Sequence, residues 1–112
     1  MGLSGEAALK AMGLAYADLI SDPAVLRLQL HAFAASTEDA DIRAVAQAGL
    51  RAVWALAQSR SGADGERMWA FLAAGMLCNV IAAVGLEGLA EPWAQQLVAS
   101  AVKVDPATGH QG

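Results

Sequence analysis

The sequence is poor in the groups that do chemistry. Its one cysteine, Cys78, cannot form a disulfide within the chain, which suits a reducing, cytoplasmic setting. Cys78 stands among apolar neighbours and reads as a small core filler rather than a redox centre. Basic residues are few and dispersed. Lys10, Arg27, Arg43, Arg51, Arg60, Arg67 and Lys103 face eleven acidic residues, for a net charge of −4. Holding a phosphate backbone needs clustered Lys and Arg, so this stretch alone is expected to bind no nucleic acid. The two histidines, His31 and His110, are far apart and form no pair at metal-ligand spacing. There is no Gly-rich phosphate loop and no local motif that marks a nucleophile. The expectation is therefore no catalytic residue, no metal, no cofactor and no enzyme activity. Neither a period-two alternation nor an internal repeat is present, and no basic segment followed by an apolar one marks a leader at the N-terminus.

What is present is helix-forming apolar residue. Hydrophobic residues make up 56% of the 112, and charged residues 16%. Most of the apolar share is alanine and leucine, the best helix formers. The pattern predicts an all-α fold, an antiparallel bundle of about five helices. It would form one domain over 1–102, with 103–112 as a disordered tail. After a loose start at Gly2-Leu3-Ser4-Gly5, a first helix is expected over 6–20. Ser21-Asp22-Pro23 stops it, and Asp22 can cap a second helix over 23–35 with Pro23 at its first position. Ser36 or Thr37 is expected to cap a third over 39–60. Gly62 and Gly65 break the chain, and a fourth helix follows over 65–84, stopped by Gly85 and Gly88. A short last helix starts at Glu91-Pro92-Trp93 and runs to about 102.

The stretch 68–86, Met-Trp-Ala-Phe-Leu-Ala-Ala-Gly-Met-Leu-Cys-Asn-Val-Ile-Ala-Ala-Val-Gly-Leu, organises the rest. It carries no charge, and Asn79 is its one strongly polar side chain. A helix that is apolar all round must be buried on every side or sit in lipid. The stretch is long enough to span a bilayer. Its many Ala and Gly residues, the central Asn79 and the lack of flanking basic residues argue for a soluble protein without a membrane role. So short a chain has few elements with which to wrap the helix, so part of the cover is expected from a second copy. The small residues Ala70, Ala74, Gly75, Cys78 and Ala82 offer a face for close helix contact. Bulky Met68, Trp69, Leu72, Met76, Leu77 and Val80 are expected to fill the core. On the third helix, Ala44, Ala48, Ala52 and Ala55 make a side of alanine alone.

The other signal is a pocket between helices. Tyr16, Gln29, His31, Gln47 and Asn79 are polar groups that could orient a guest. Met12, Leu28, Phe33, Trp54, Phe71, Leu72 and Met76 could form its apolar wall. A buried Asn79 needs partners, supplied either by a guest or by the same residue across a dimer axis.

The phrase from Ala70-Phe71 through Gly75-Met76-Leu77-Cys78-Asn79 to Gly85-Leu86 resembles a long helix near the end of tetracycline-repressor-type (TetR-family) transcription regulators. Asp22-Pro23-Ala24-Val25-Leu26-Arg27-Leu28-Gln29-Leu30-His31-Ala32-Phe33 is also similar to the family. So is Asp39-Ala40-Asp41-Ile42-Arg43, although many relatives have proline where this chain has Ala40. The resemblance covers about 7–86. It implies the regulatory half of such a protein, with DNA reading left to a helix-turn-helix domain that the sequence lacks. That half would bind a small apolar or aromatic effector through Tyr16, Gln29, His31, Phe33, Trp54, Phe71, Met76 and Asn79. It would be a homodimer. The dimer helices would be the third and fourth, meeting through Ala48, Ala52, Ala55, Ala70, Ala74, Cys78 and Ala82; alternatively the fourth helix and the C-terminal piece share that role. The reading from another class is a stand-alone helical interaction module with a filled core and no guest.

Overall fold

A computed structural model describes residues 4–103, and the side chains of 4–100. Of the predicted tail over 103–112, Lys103 instead ends the last helix, and 104–112, like the first three residues, lies outside that range. The described chain is all-α: α1 (Gly5–Ile20), α2 (Pro23–Ala35), α3 (Ala40–Ser61), α4 (Gly65–Val84) and α5 (Pro92–Lys103), with a 3-10 turn at Leu86–Gly88 between the last two.

The helix ends follow from local chemistry. The Asp22 carboxylate accepts the backbone N–H of Ala24 at 2.9 Å, and Pro23 begins α2 where its missing N–H costs nothing. Asp64 accepts from the N–H of Arg67 at 2.8 Å and starts α4. Gly62 and Gly85 end α3 and α4 at φ of 70° and 73°, a left-handed conformation that glycine adopts without strain. One cap differs from expectation. Asp39, not Ser36 or Thr37, caps α3, accepting from Asp41 and Ile42 at 2.9 and 3.1 Å. Ser36 and Thr37 instead donate back to the carbonyls of Ala32 and Ala34, closing α2. The aspartate wins because its carboxylate sits immediately before the first helical residue, where two free N–H groups converge. Gly5 and Gly65 lie within the first residues of α1 and α4 rather than in loops.

Cross-chain contacts fix the helix directions. Glu6 meets Arg67, Gly13 faces Phe71, and Tyr16 meets Gly75 and Asn79. The numbers rise together, so α1 and α4 run parallel. Leu9 clusters with Ala57 and Met68, and Ala8 lies near Arg60 at the C-terminal end of α3. Helix α3 therefore runs antiparallel to both, joined to α4 by the short loop 62–64 as a helical hairpin. Each of α3 and α4 packs more extensively on α1 than on the other. α2 packs on α3 and α1, and α5 on α4.

The core is small. The molecule measures 43 × 40 × 24 Å, and its thin direction is about two helix diameters. Few residues can have helices on both sides. Leu9, Met68 and Asn79 are the largest fully buried side chains. Helix α4, long and apolar enough by composition to cross a membrane, has only 17% of its most apolar window buried within the chain.

Its faces follow expectation only in part: Met68 fills the core and Leu72 looks inward, but the other bulky residues do not. Trp69, Met76, Leu77, Val80 and Val84 point outward in one stripe, with Trp69 72% and Val84 67% exposed. The small residues Ala74, Gly75 and Cys78 look inward. Small side chains are needed where the ring of Tyr16 lies against the helix, 3.8 Å from where a Cβ on Gly75 would be.

Replacing Asp39 by Ala is expected to cost about 1 kcal/mol in urea unfolding, the usual worth of an N-cap. Thr37→Ala should cost no more than about 0.5 kcal/mol, as exposed surface substitutions do. Equal losses would contradict the placement of the cap.

Candidate functional site

Helices α1, α2, α3 and α4 leave an open cavity of about 840 Å³ between them. That is at the upper end of the range for small-molecule sites. The walls are apolar: Leu9, Met12 and Leu14 from α1, Phe33 from α2, Leu50 and Val53 from α3, Phe71, Leu72 and Met76 from α4. Leu50 and Val53 line it while remaining about half exposed, so the cavity opens to solvent on the α3 side.

Glycines border the space. Gly13, Gly49 and Gly75 lie within helices α1, α3 and α4, and all three line the cavity. A glycine inside a helix costs roughly 0.5–1 kcal/mol relative to alanine. Gly13 and Gly75 sit under the rings of Phe71 and Tyr16, about 4 Å from where their Cβ atoms would be. A Cβ on Gly49 would meet nothing within 4 Å. A Cβ at Gly13 or Gly75 would make an ordinary contact with the ring above it, whereas Gly49 borders open space.

One polar network stands at the cavity. The Tyr16 hydroxyl donates to Asn79 Oδ1 at 2.6 Å and accepts from Gln29 Nε2 at 2.5 Å. Asn79 is wholly buried, and its Nδ2 lies 3.6 Å from Met76 Sδ. The amide thus finds its partners within its own chain, needing neither a guest nor a dimer axis. The network ties α1, α2 and α4 together, and Tyr16 and Gln29 present uncharged polar atoms to a largely apolar space.

Of the predicted ligand residues, Tyr16, Gln29, Phe33, Phe71 and Met76 line the cavity, and Asn79 lies directly behind Tyr16. His31 and Trp54 do not. His31 faces solvent on the far side of α2. Trp54 donates to Gln58 Oε1 at 3.1 Å on the outer side of α3. Leu28, 72% exposed, and Gln47 also face solvent. Helix phase separates them: on α2, Gln29 and Phe33 are four apart and share one face, and His31 falls between them. Among the predicted contact residues, Ala48, Ala52 and Ala55 do lie on an exposed side of α3. On α4, Ala70 and Ala82 are half-buried, while Ala74 and Cys78 line the cavity. Burial pushes the Cys78 thiol above its ordinary pKa, as desolvation disfavours a thiolate. Lys10, Gly13, Gly49 and Arg67 belong to the cavity wall and were not anticipated. Mid-helix glycine was the available signal for two of them.

Among the described residues no cluster of His, Cys, Asp or Glu could hold a metal ion. No family model, curated protein or solved structure matches the chain.

Tyr16→Phe removes the hydroxyl that satisfies buried Asn79 and is expected to destabilise the protein by about 1–3 kcal/mol in urea unfolding. Adding Asn79→Leu should recover part of that loss, because no buried amide is then left unpaired and half-buried Gln29 alone loses its acceptor. A Tyr16→Phe protein as stable as the parent would show that the hydroxyl is not the anchor.

Proposed function

We propose that this chain is a non-catalytic effector-binding and homodimerising domain, the regulatory half of a TetR-like transcription regulator that works in the cytoplasm. The observation that carries the reading is the open, largely apolar cavity bordered by the mid-helix Gly49, with Tyr16 and Gln29 as hydrogen-bonding groups at its wall. A module that serves only to stick to a partner gains nothing from an empty interior, and filling it would stabilise the fold. The cavity suits a small apolar or aromatic effector with a polar group for Tyr16 and Gln29. DNA reading belongs to a helix-turn-helix domain outside this sequence, so the chain alone is expected to give no sequence-specific shift of a DNA probe.

The outward stripe of α4 supports the homodimer. Trp69, Met76, Leu77, Val80 and Val84 recur at helical spacing on one face, and α5 adds Trp93, 54% exposed. A patch of this kind on a soluble protein marks a contact surface. This favours α4 with α5 as the dimer helices, over the pairing of α3 with α4. A second chain suits the stripe better than lipid, since the same helix carries Asn79 and an inward face of alanine, glycine and cysteine.

Sedimentation of the purified chain, without detergent, is expected to show a dimer. Trp69→Glu or Val84→Arg should yield a monomer with unchanged helix content, because neither side chain is packed within the protomer. A parent protein that sediments as a monomer at micromolar concentration would overturn the dimer. For the cavity, a thermal-shift panel of apolar and aromatic small molecules should give stabilising hits. Gly49→Phe should abolish them while leaving the fold intact, and hits that survive this substitution would place binding elsewhere.

A further inference from the structure

We infer that the cavity is built for an amphipathic anion, a carboxylate on an apolar chain or ring. This deepens the effector reading above and rests on it. The observation is the sign and position of charge on the wall. Lys10 on α1 and Arg67 on α4 are the charged residues that line the cavity, and no carboxylate lines it. In a chain with a net charge of −4, the charged side chains that reach the wall are both basic, and the carboxylate paired with Arg67, Glu6, stands outside it.

The two cations are also at one end. Helices α1 and α4 run parallel, and Lys10 and Arg67 both precede the level of Tyr16 and Gly75. Lys10 lies six residues before Tyr16, about 9 Å along the helix axis at 1.5 Å per residue. The space between is walled by Met12, Gly13, Phe71 and Leu72, with no charge. The cavity is thus a polarised slot: cationic at one end, greasy along its length, and hydrogen-bonding at the other.

Arg67 is held ready. Its Nε and Nη2 bond the two oxygens of Glu6 at 2.9–3.2 Å, which fixes the guanidinium plane. An arginine has five N–H donors. The Nη1 pair has no partner among the described residues, so a ligand carboxylate can bond there without displacing Glu6. Glu6 both orients the arginine and repels an incoming anion, which makes it a brake on affinity.

Isothermal titration of the chain with decanoate, and with 1-decanol as the uncharged control of the same length, tests this. Decanoate is expected to bind at least tenfold more tightly than decanol. Arg67→Gln should remove that preference, and raised salt should weaken decanoate binding alone. Glu6→Gln should tighten decanoate binding several-fold, an effect that a merely structural ion pair would not produce. Binding of both compounds with equal affinity would overturn the anionic preference and leave the effector cavity standing. Binding of neither, nor of any member of the thermal-shift panel, would overturn both readings.

Discussion

The structure depends on how closely α1 can lie beside α4. Those helices are some sixty residues apart in sequence, yet Tyr16 reaches Asn79 at 2.6 Å. The approach is possible because the ring of Tyr16 lies over Gly75 and that of Phe71 over Gly13. With a bulky residue at Gly75 the Tyr16 ring would have to move, and Asn79 would lose the hydroxyl that bonds its Oδ1. A buried amide of that kind costs more than the net worth of a made hydrogen bond. The pair therefore selects one register of α1 on α4. Leu9 against Met68 and Ala57 then fills the space at one end of the contact, and α2 is drawn in by the bond from Gln29 to Tyr16.

The same arrangement limits stability. Three helices carry interior glycines, and the space they enclose lacks the side chains that would otherwise pack there. Each interior glycine costs roughly 0.5–1 kcal/mol, a sizeable part of the 5–15 kcal/mol that holds an ordinary domain folded. Only a few large side chains are fully buried. A fold this lightly packed gains from anything that binds the native state, whether a guest in the cavity or a second chain on the outer stripe. Empty volume and uncovered apolar surface thus have one origin: a thin array of helices that covers only the inner side of α4.

Much of the fold was legible because helix boundaries are written locally. Asp22-Pro23 and Gly85 mark their ends through backbone chemistry that needs no tertiary partner, and the limits of α2 and α4 follow directly. The all-apolar character of α4 was equally plain. Which of its faces turns inward was not. Residue size predicted bulky side chains inside, yet the presence of Tyr16 on a different helix decided the matter. The misplacement of His31 has the same cause. Helical phase puts it two residues from both Gln29 and Phe33, on the opposite side, and residue chemistry alone overrode that phase in the reading. The cap of α3 was ambiguous in the same way, since Ser36 and Thr37 can serve either neighbouring helix and here close α2. Gly49 was the overlooked clue, for a helix seldom keeps an interior glycine without a reason in space or contact.

One helix joins the two activities proposed for the domain. Met76 lines the cavity and is also 43% exposed beside the outer stripe. A guest that presses on Phe71, Leu72 and Met76 acts on the helix that would carry the partner chain. A ligand shifts an arrangement only by its difference in affinity between two states. The wall on the far side is α3, which packs on α1 and α2 more than on α4. Tyr16 and Asn79 meanwhile hold α1 to α4, so the wall that carries the outer stripe is anchored through its inward face. An interior packed to its limit would leave no room for a guest to bear on that helix.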